Sequence, residues 1–243
     1  MTLVLLARHG LTATTGSVLT GWTSGIPLDD RGRRQAGDLG ARLAAVPLAA
    51  IVTSPLERCR QTAAAVAAAA RPAGVEVVEV VEDDRFGECH YGDWTGQPLK
   101  RLAREPLWRV VQAHPGAARF PGADGESFLD MQHRAVSAIR DWNTRLGPDT
   151  AYLVCSHGDV IKSIIADSLG MHIDMLQRIQ VDPASLTVIR YTPLRPFLLR
   201  MNDTGGAVDN LVPKKRDQPG ESESSARTAR REAEAAVGGG AGG

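Results

Sequence analysis

The stretch "LLARHGLTA", from Leu5 to Ala13, places an arginine and a histidine directly after an apolar run that begins almost at the first residue. The run is too short to span a bilayer, and its composition predicts a buried β-strand. A strand that ends in Arg8 and His9 delivers two polar groups to one edge of a sheet. Their role depends on which residues follow the other strands of the chain at the same edge.

Strand-like and helical segments alternate along the rest of the chain. β-branched runs at residues 49–54 and 151–156 are each followed by helical spacing, and residues 126–146 form a strongly amphipathic pattern. Residues 185–193 and 196–202 resemble a terminal strand pair. This alternation predicts an α/β fold, a three-layer α/β/α sandwich with a mostly parallel central sheet.

Capping signals locate some of the helix ends. Asp29 or Asp30 is expected to cap a helix over residues 28–46, and Pro55 stands where the first turn of a second helix tolerates proline. Residues 75–84 are predicted to be extended. The sequence therefore predicts strand, tight turn and helix in succession around Pro55.

The composition changes near residue 203. Residues 203–243 lack apolar periodicity and end in glycines, which favours a disordered tail after a folded domain over residues 1–202.

With 28 basic and 28 acidic residues the net charge is zero, so neither nucleic acid nor a membrane surface is an expected partner. Three scattered cysteines and no signal peptide or membrane span indicate a cytoplasmic protein.

Basic groups follow three of the predicted strands. Arg8 and His9 end the first, Arg58 lies in the helical turn after the second, and His157 follows the third. The carboxyl ends of parallel strands meet at one edge of a sheet, where α/β proteins bind ligands. Because buried cations without an anion are costly, the joint pattern predicts an anion site, and the helix start at Arg58 favours phosphate.

Six motifs carry a resemblance to a known family. The sequences "LLARHGLTA", "TGW", "TSPLERCRQTA", "DDRFGECHYGDWTG", "PGADGESF" and "CSHGDVI" occur in this order. They resemble the histidine phosphatase superfamily, the phosphoglycerate-mutase-like proteins, from about Leu3 to Asn202, and are most similar to a bacterial branch described as phosphomutases. The resemblance implies an enzyme that acts on a small phosphorylated metabolite without a metal ion or other cofactor, and it allows a homodimer.

The resemblance also implies a mechanism at the strand ends. His9 would attack phosphorus and form a phosphohistidine, so its ring must be neutral. Arg8, Arg58 and His157 would lower the pKa of His9 and neutralise the phosphoryl oxygens. These four residues are the predicted phosphoryl-transfer machinery.

Glu88, in "FGECHYG", matches the family's proton donor to the leaving group. From the residues alone, its position near Phe86, Tyr91, Asp83 and Asp84 is expected to raise its pKa toward neutrality, as a general acid requires.

Two other acids are alternatives to Glu88 or additions to it. Asp93 is the second candidate for the acid. Glu126 either caps the helix over residues 126–146 or, as the resemblance implies, lies near the active site.

Substrate contacts are predicted within or beside these motifs, at Thr15, Thr20, Gly21, Tyr91 and Gly158. Thr15 stands where many family members carry an asparagine. Residues 100–119 contain separated arginines rather than the adjacent pair of cofactor-dependent mutases, which favours a phosphatase over a mutase.

Three functions are compatible with this pattern. The preferred one is a metal-independent phosphatase, the second is a phosphomutase, and the third is a binding module that recognises a phosphorylated ligand without turnover. Residues from about Arg85 to Phe128 are expected to form a cap that decides specificity. A sugar phosphate, a phosphoglycerate, a nucleotide and a phosphoprotein all fit the predicted phosphate pocket.

Overall fold

The computed structural model describes residues 1–69 and 79–206. Residues 70–78, which include the start of the predicted extended segment, and most of the predicted tail, residues 207–243, lie outside the described residues. The strands are β1 (Thr2–Arg8), β2 (Val18–Leu19), β3 (Leu48–Thr53), β4 (Val80–Glu82), β5 (Gln97–Pro98), β6 (Thr150–Ser156), β7 (Leu186–Tyr191) and β8 (Pro196–Asp203). The α-helices are α1 (Asp30–Leu43), α2 (Glu57–Ala69), α3 (Leu99–Leu102), α4 (Pro106–Ala113), α5 (Phe128–Leu146) and α6 (Gly158–Ser168).

The central sheet has six strands in the order β4-β3-β6-β1-β7-β8. Strands β4, β3, β6 and β1 are parallel, whereas β7 pairs antiparallel with β1, and β8 pairs antiparallel with β7. The predicted α/β fold with a mostly parallel sheet is confirmed. The predicted terminal strand pair is the antiparallel hairpin at one edge, and its last strand ends at Asp203, one residue beyond the predicted boundary.

Each face of the sheet carries its own apolar core. On β1, Leu5 and Ala7 belong to a cluster with buried residues of α1 and α2, while Val4 and Leu6 belong to a larger cluster with α5 and α6. This alternation follows from the two-residue period of a strand, which sends successive side chains to opposite faces. Burial on both faces explains why β1 is almost continuously apolar.

The parallel pairing brings three strand ends together. Arg8 at the end of β1 is in register with Ser156 at the end of β6, and Thr53 at the end of β3 pairs with Cys155 of β6. The residues that follow these strands therefore emerge side by side at the carboxyl edge of the sheet.

The predicted cap begins after β4 and covers this edge. It contains α3, α4 and three short 3-10 helices, at Asp84–Phe86, Gly92–Trp94 and Pro115–Ala117. The two-residue strands β2 and β5 pair antiparallel and join the cap to the chain that follows β1. Within the described ranges, no helix has the length and apolar character that crossing a membrane requires.

The first turn of α1 touches the backbone that follows β1. Asp29 caps this helix by accepting a hydrogen bond from the Gly32 amide at 2.7 Å, as the sequence predicts. A Cβ added at Gly32 would lie 2.0 Å from the Leu11 carbonyl oxygen, and one at Gly10 would lie 2.5 Å from the Gly32 oxygen. Only glycines permit this approach, because any side chain would overlap main-chain atoms.

We expect Gly32→Ala to lower the free energy of unfolding by about 2–3 kcal/mol, because the added methyl meets backbone that cannot rotate away. Gly37→Ala is the matched control in the same helix, where an added Cβ meets nothing within 4 Å. That control should be neutral or raise stability by up to about 1 kcal/mol through helix propensity. Urea unfolding of both variants measures the difference, and equal effects would contradict the close-packing argument.

Candidate active site

The chain at the end of β1 holds the His9 side chain in one orientation. Its backbone amide donates to the Ser156 carbonyl oxygen at 3.0 Å, and its ring Nδ1 lies 2.7 Å from the Gly10 carbonyl oxygen. A carbonyl only accepts, so Nδ1 carries the proton and Nε2 holds a lone pair. Arg58 donates to that lone pair from Nε at 3.3 Å.

Burial and positive neighbours keep the His9 ring neutral. The side chain is buried, and this burial, followed by the Arg58 and Arg8 guanidiniums, holds the pKa of His9 well below its ordinary value. A neutral imidazole with Nε2 unprotonated is a nucleophile at neutral pH.

Arg58 connects the two histidines. It is the second residue of α2, and its buried guanidinium donates from Nη2 to the Gly21 carbonyl oxygen at 2.9 Å and to His157 Nδ1 at 3.2 Å. The backbone N–H groups in the first turn of α2, which have no carbonyl partner within the helix, add positive electrostatic potential. Arg8 is also buried and donates from Nη1 to the Val181 carbonyl oxygen at 2.8 Å.

His157 lies behind these groups. Because Nδ1 accepts from Arg58, Nε2 must carry the proton and donate to Ser54 Oγ, 2.8 Å away. The His9 and His157 rings meet edge to face with centroids 5.2 Å apart. Burial, and then Arg58, hold the pKa of His157 well below its ordinary value, so this ring is neutral as well.

Glu88 faces the same space from the cap. Its carboxyl is 4% exposed, Oε1 accepts from the Cys89 amide at 3.0 Å, and Oε2 lies 3.8 Å from His157 Nδ1. Burial raises the pKa of Glu88 to about 7, with Asp159 as the next cause. The carboxyl is therefore half protonated near neutral pH.

The expected cause of this raised pKa is only partly right. Asp83 is held by Arg85 and by Trp142 Nε1 at 2.9 Å, and neither Asp83 nor Asp84 is among the causes of the shift at Glu88. The acid that acts on Glu88 is Asp159, which the sequence analysis did not single out. The sequence feature that points to Asp159 is the acidic residue two positions after the histidine in "SHGD".

Asp159 belongs to a buried polar group behind Glu88. Its Oδ2 accepts from the Tyr91 hydroxyl at 2.9 Å, and its Oδ1 lies 3.5 Å from Lys162 Nζ. Tyr91 and Asp159 are fully buried, and Lys162 is 4% exposed. A negative charge is thus held within the protein next to the candidate acid.

Glu126 does not cap α5, so that alternative is wrong. Ser127 is the cap, with a reciprocal capping box to Asp130. Glu126 instead pairs with Arg134 at 2.6 Å, and the Arg134 guanidinium also donates to the carbonyl oxygen of Glu88 at 2.9 Å. Arg134, which sequence reasoning missed, fixes the backbone that carries Glu88.

A cavity opens between the strand ends and the cap. Its wall is formed by Arg8, His9, Thr12, Thr15, Gly16, Val18, Leu19, Thr20, Gly21, Arg58, Glu88, Tyr91 and Leu99. Eight of the ten predicted site residues are in this wall. His157 and Gly158 are not, because both are buried behind it at the start of α6. Asp93 is exposed and is also not part of the wall.

Thr15 and Thr20 enter the cavity as part of a hydroxyl network. Thr15 Oγ1 lies 2.9 Å from Thr12 Oγ1, and Thr20 Oγ1 lies 3.1 Å from Thr14 Oγ1. Gly21 has φ +52°, and its carbonyl oxygen faces Arg58. In the part of the chain that the structure describes, no three His, Cys, Asp or Glu residues cluster as metal ligands.

Comparison with known proteins identifies the family. The sequence model of the histidine phosphatase superfamily, branch 1, matches residues 4–204. The chain belongs to this superfamily. It is 26% identical over 187 residues, 75% of its own length and 82% of the relative, to 2,3-bisphosphoglycerate-dependent phosphoglycerate mutase 2 of Gloeobacter violaceus.

Other relatives of the chain carry different names. Phosphoserine phosphatase 1 of Hydrogenobacter thermophilus is 28% identical over 180 residues, 73% of this chain and 81% of the relative. The solved structure of Bacillus stearothermophilus YhfR superposes with a TM-score of 0.72 at 30% identity, covering 84% of this chain and 98% of that chain. The family thus supports phosphoryl-transfer chemistry and includes both phosphatases and mutases by name.

We expect Asp159→Asn to lower the pKa of Glu88 from about 7 by about one pH unit, because the neighbouring negative charge is lost while the amide oxygen still accepts from Tyr91. Carbon-13 NMR titration of the glutamate carboxyls, with Glu88→Gln for assignment, measures the change. Asp167→Asn, on the outer part of the same helix, is the control and should leave the titration unchanged. An unaltered Glu88 titration in Asp159→Asn would contradict the coupling.

Proposed function

We propose that this histidine phosphatase hydrolyses a phosphate monoester through a phosphohistidine on His9, without a metal ion. The observation that carries the proposal is the His9 ring itself. Its Nε2 is unprotonated and accepts from Arg58, and the same cavity wall contains Arg8 and the Glu88 carboxyl with a pKa of about 7.

In the first step, the Nε2 lone pair of His9 forms a bond to phosphorus while the bond to the ester oxygen breaks. Arg8 and Arg58 neutralise the equatorial oxygens, which is the main task in phosphoryl transfer. The protonated Glu88 gives its proton to the leaving alkoxide, so that a neutral alcohol departs. The other proton of the ring stays on Nδ1, which donates to the Gly10 carbonyl oxygen throughout.

In the second step, the Glu88 carboxylate accepts a proton from water as the water oxygen attacks phosphorus. The phosphorus–nitrogen bond breaks, and its electrons return to Nε2 of His9. Inorganic phosphate leaves, and Glu88 is again protonated. The Glu88 carboxyl serves as the acid in the first step and as the base in the second. A pKa close to the pH of the solution suits both tasks.

His157 acts in this scheme mainly through Arg58. Its Nδ1 accepts from the guanidinium, and Ser54 holds the opposite nitrogen, so the arginine has a fixed direction before substrate binds. The two arginines supply the positive charge that other phosphatases obtain from metal ions. The proposal therefore assigns no step to a metal.

A phosphomutase is the second candidate, favoured by the names of relatives such as the Gloeobacter violaceus enzyme. The mechanism of a mutase differs from that of the phosphatase only in the phosphoryl acceptor. In a mutase, the phosphoryl group returns to a hydroxyl of the substrate instead of to water. Phosphorus-31 NMR of 3-phosphoglycerate with a 2,3-bisphosphoglycerate primer distinguishes the two. Inorganic phosphate alone indicates hydrolysis, whereas 2-phosphoglycerate indicates a mutase.

We expect His9→Ala to reduce phosphate release from monoesters by at least about a thousandfold, because the group that accepts the phosphoryl is lost. Phosphate release in the presence of EDTA measures it, and the chelator should not affect the wild type. His133→Ala, at an exposed histidine of α5, is the control and should retain wild-type turnover. Turnover in His9→Ala, or inhibition by EDTA, would contradict the proposal.

We expect kcat/KM to fall above about pH 7, since the proton donor Glu88 is protonated below its pKa of about 7 and ionised above it. Glu88→Gln should reduce the rate by about 10²–10⁴-fold and remove the alkaline limb. Steady-state rates from pH 5.5 to 9 test this. A profile that keeps its alkaline limb in Glu88→Gln would assign the proton transfer to another group.

A further inference from the structure

The cavity wall separates into a charged part and a neutral part. Within residues 1–69 and 79–206, the titratable side chains of the wall are those of Arg8, His9, Arg58, Glu88 and Tyr91. In the proposed mechanism, the first three bind the phosphoryl group, and Glu88 transfers the proton to and from the reacting oxygens. The rest of a substrate therefore meets neutral groups only.

The neutral part offers two kinds of contact. Val18, Leu19 and Leu99 contribute aliphatic surface, and threonine hydroxyls contribute polar surface. The hydroxyl of Thr12 lies 3.2 Å from that of Thr14 and 2.9 Å from that of Thr15. A hydroxyl both donates and accepts, so such a network matches the hydroxyls of an alcohol.

The basic residues of the cap do not line the cavity. Arg85 pairs with Asp83 and Asp141, and Arg119 pairs with Asp130 at 2.8 Å. The remaining basic residues of the cap segment are exposed and do not line the cavity, namely Lys100, Arg101, Arg104 and Arg109. Apart from Arg8 and Arg58, no arginine or lysine of the described residues stands in the wall to receive a second anionic group.

We propose that the substrate is the phosphate monoester of a neutral, hydroxyl-bearing alcohol, without a carboxylate or a second phosphate next to the ester. The inference rests on the phosphatase function proposed above. A substrate carboxylate in this cavity would lose water and meet neutral hydroxyls, but no uncommitted cation to balance its charge. The same argument opposes a bisphosphate intermediate and hence a mutase.

The test compares two esters of the same skeleton, glycerol 3-phosphate and 3-phosphoglycerate, which differ in a hydroxymethyl group against a carboxylate. We expect kcat/KM for glycerol 3-phosphate to be at least about tenfold higher. Equal or higher kcat/KM for 3-phosphoglycerate would overturn the substrate class while supporting the phosphatase. Release of phosphate from neither ester, nor from p-nitrophenyl phosphate, would overturn the proposed function and with it this inference.

A variant tests the location of the selectivity. Val18→Lys places a cation in the neutral part of the wall and should lower the ratio of the two kcat/KM values by about tenfold. Val18→Met, of similar length without the charge, should leave the ratio unchanged. Melting temperatures confirm that both variants fold, and an unchanged ratio in folded Val18→Lys would overturn the assignment of this surface to the substrate.

Discussion

The hydrogen bond between His9 Nδ1 and the Gly10 carbonyl oxygen determines the chemistry that the strand ends offer. It assigns the ring proton to Nδ1 and leaves the lone pair of Nε2 beside Arg58. The bond itself depends on packing, because the chain after β1 reaches this position only where Gly10 and Gly32 bring two backbones into contact. A close approach of main chains therefore underlies the protonation of the candidate nucleophile.

Burial acts on the two kinds of titratable group in opposite directions. It lowers the pKa of His9 and His157 and raises that of Glu88, because in each case the charged form loses water. The same environment thus favours a neutral base and a neutral acid, which are the forms that a first phosphoryl transfer needs. The positive charge of the site is left to the guanidinium groups of Arg8 and Arg58.

The sequence predicts the fold and the basic groups at the strand ends for a physical reason, whereas the wall residues Thr15, Thr20 and Gly21 were predicted from the family resemblance. Periodicity identified β1, β3, β6 and their helices to within a few residues, and parallel pairing then required their carboxyl ends to meet. Arg8, His9, Arg58 and His157 follow from that topology alone. Asp159 and Arg134 do not, because their effect on Glu88 arises from helices packed against the cap, a contact that local spacing does not encode.

The Arg134 guanidinium has a consequence for how proteins of this kind diversify. It holds the carbonyl oxygens of Arg85, Gly87 and Glu88, so the segment with the candidate acid is tied to α5, an element of the sandwich. The same guanidinium pairs with Glu126 near the end of the cap, so one side chain holds both ends of the cap on α5. Most of the neutral wall belongs instead to residues 12–20, on the chain that follows β1. Substitutions there can change the surface that faces a ligand while Arg134 keeps its hold on the segment with the candidate acid, which makes the two features independently evolvable.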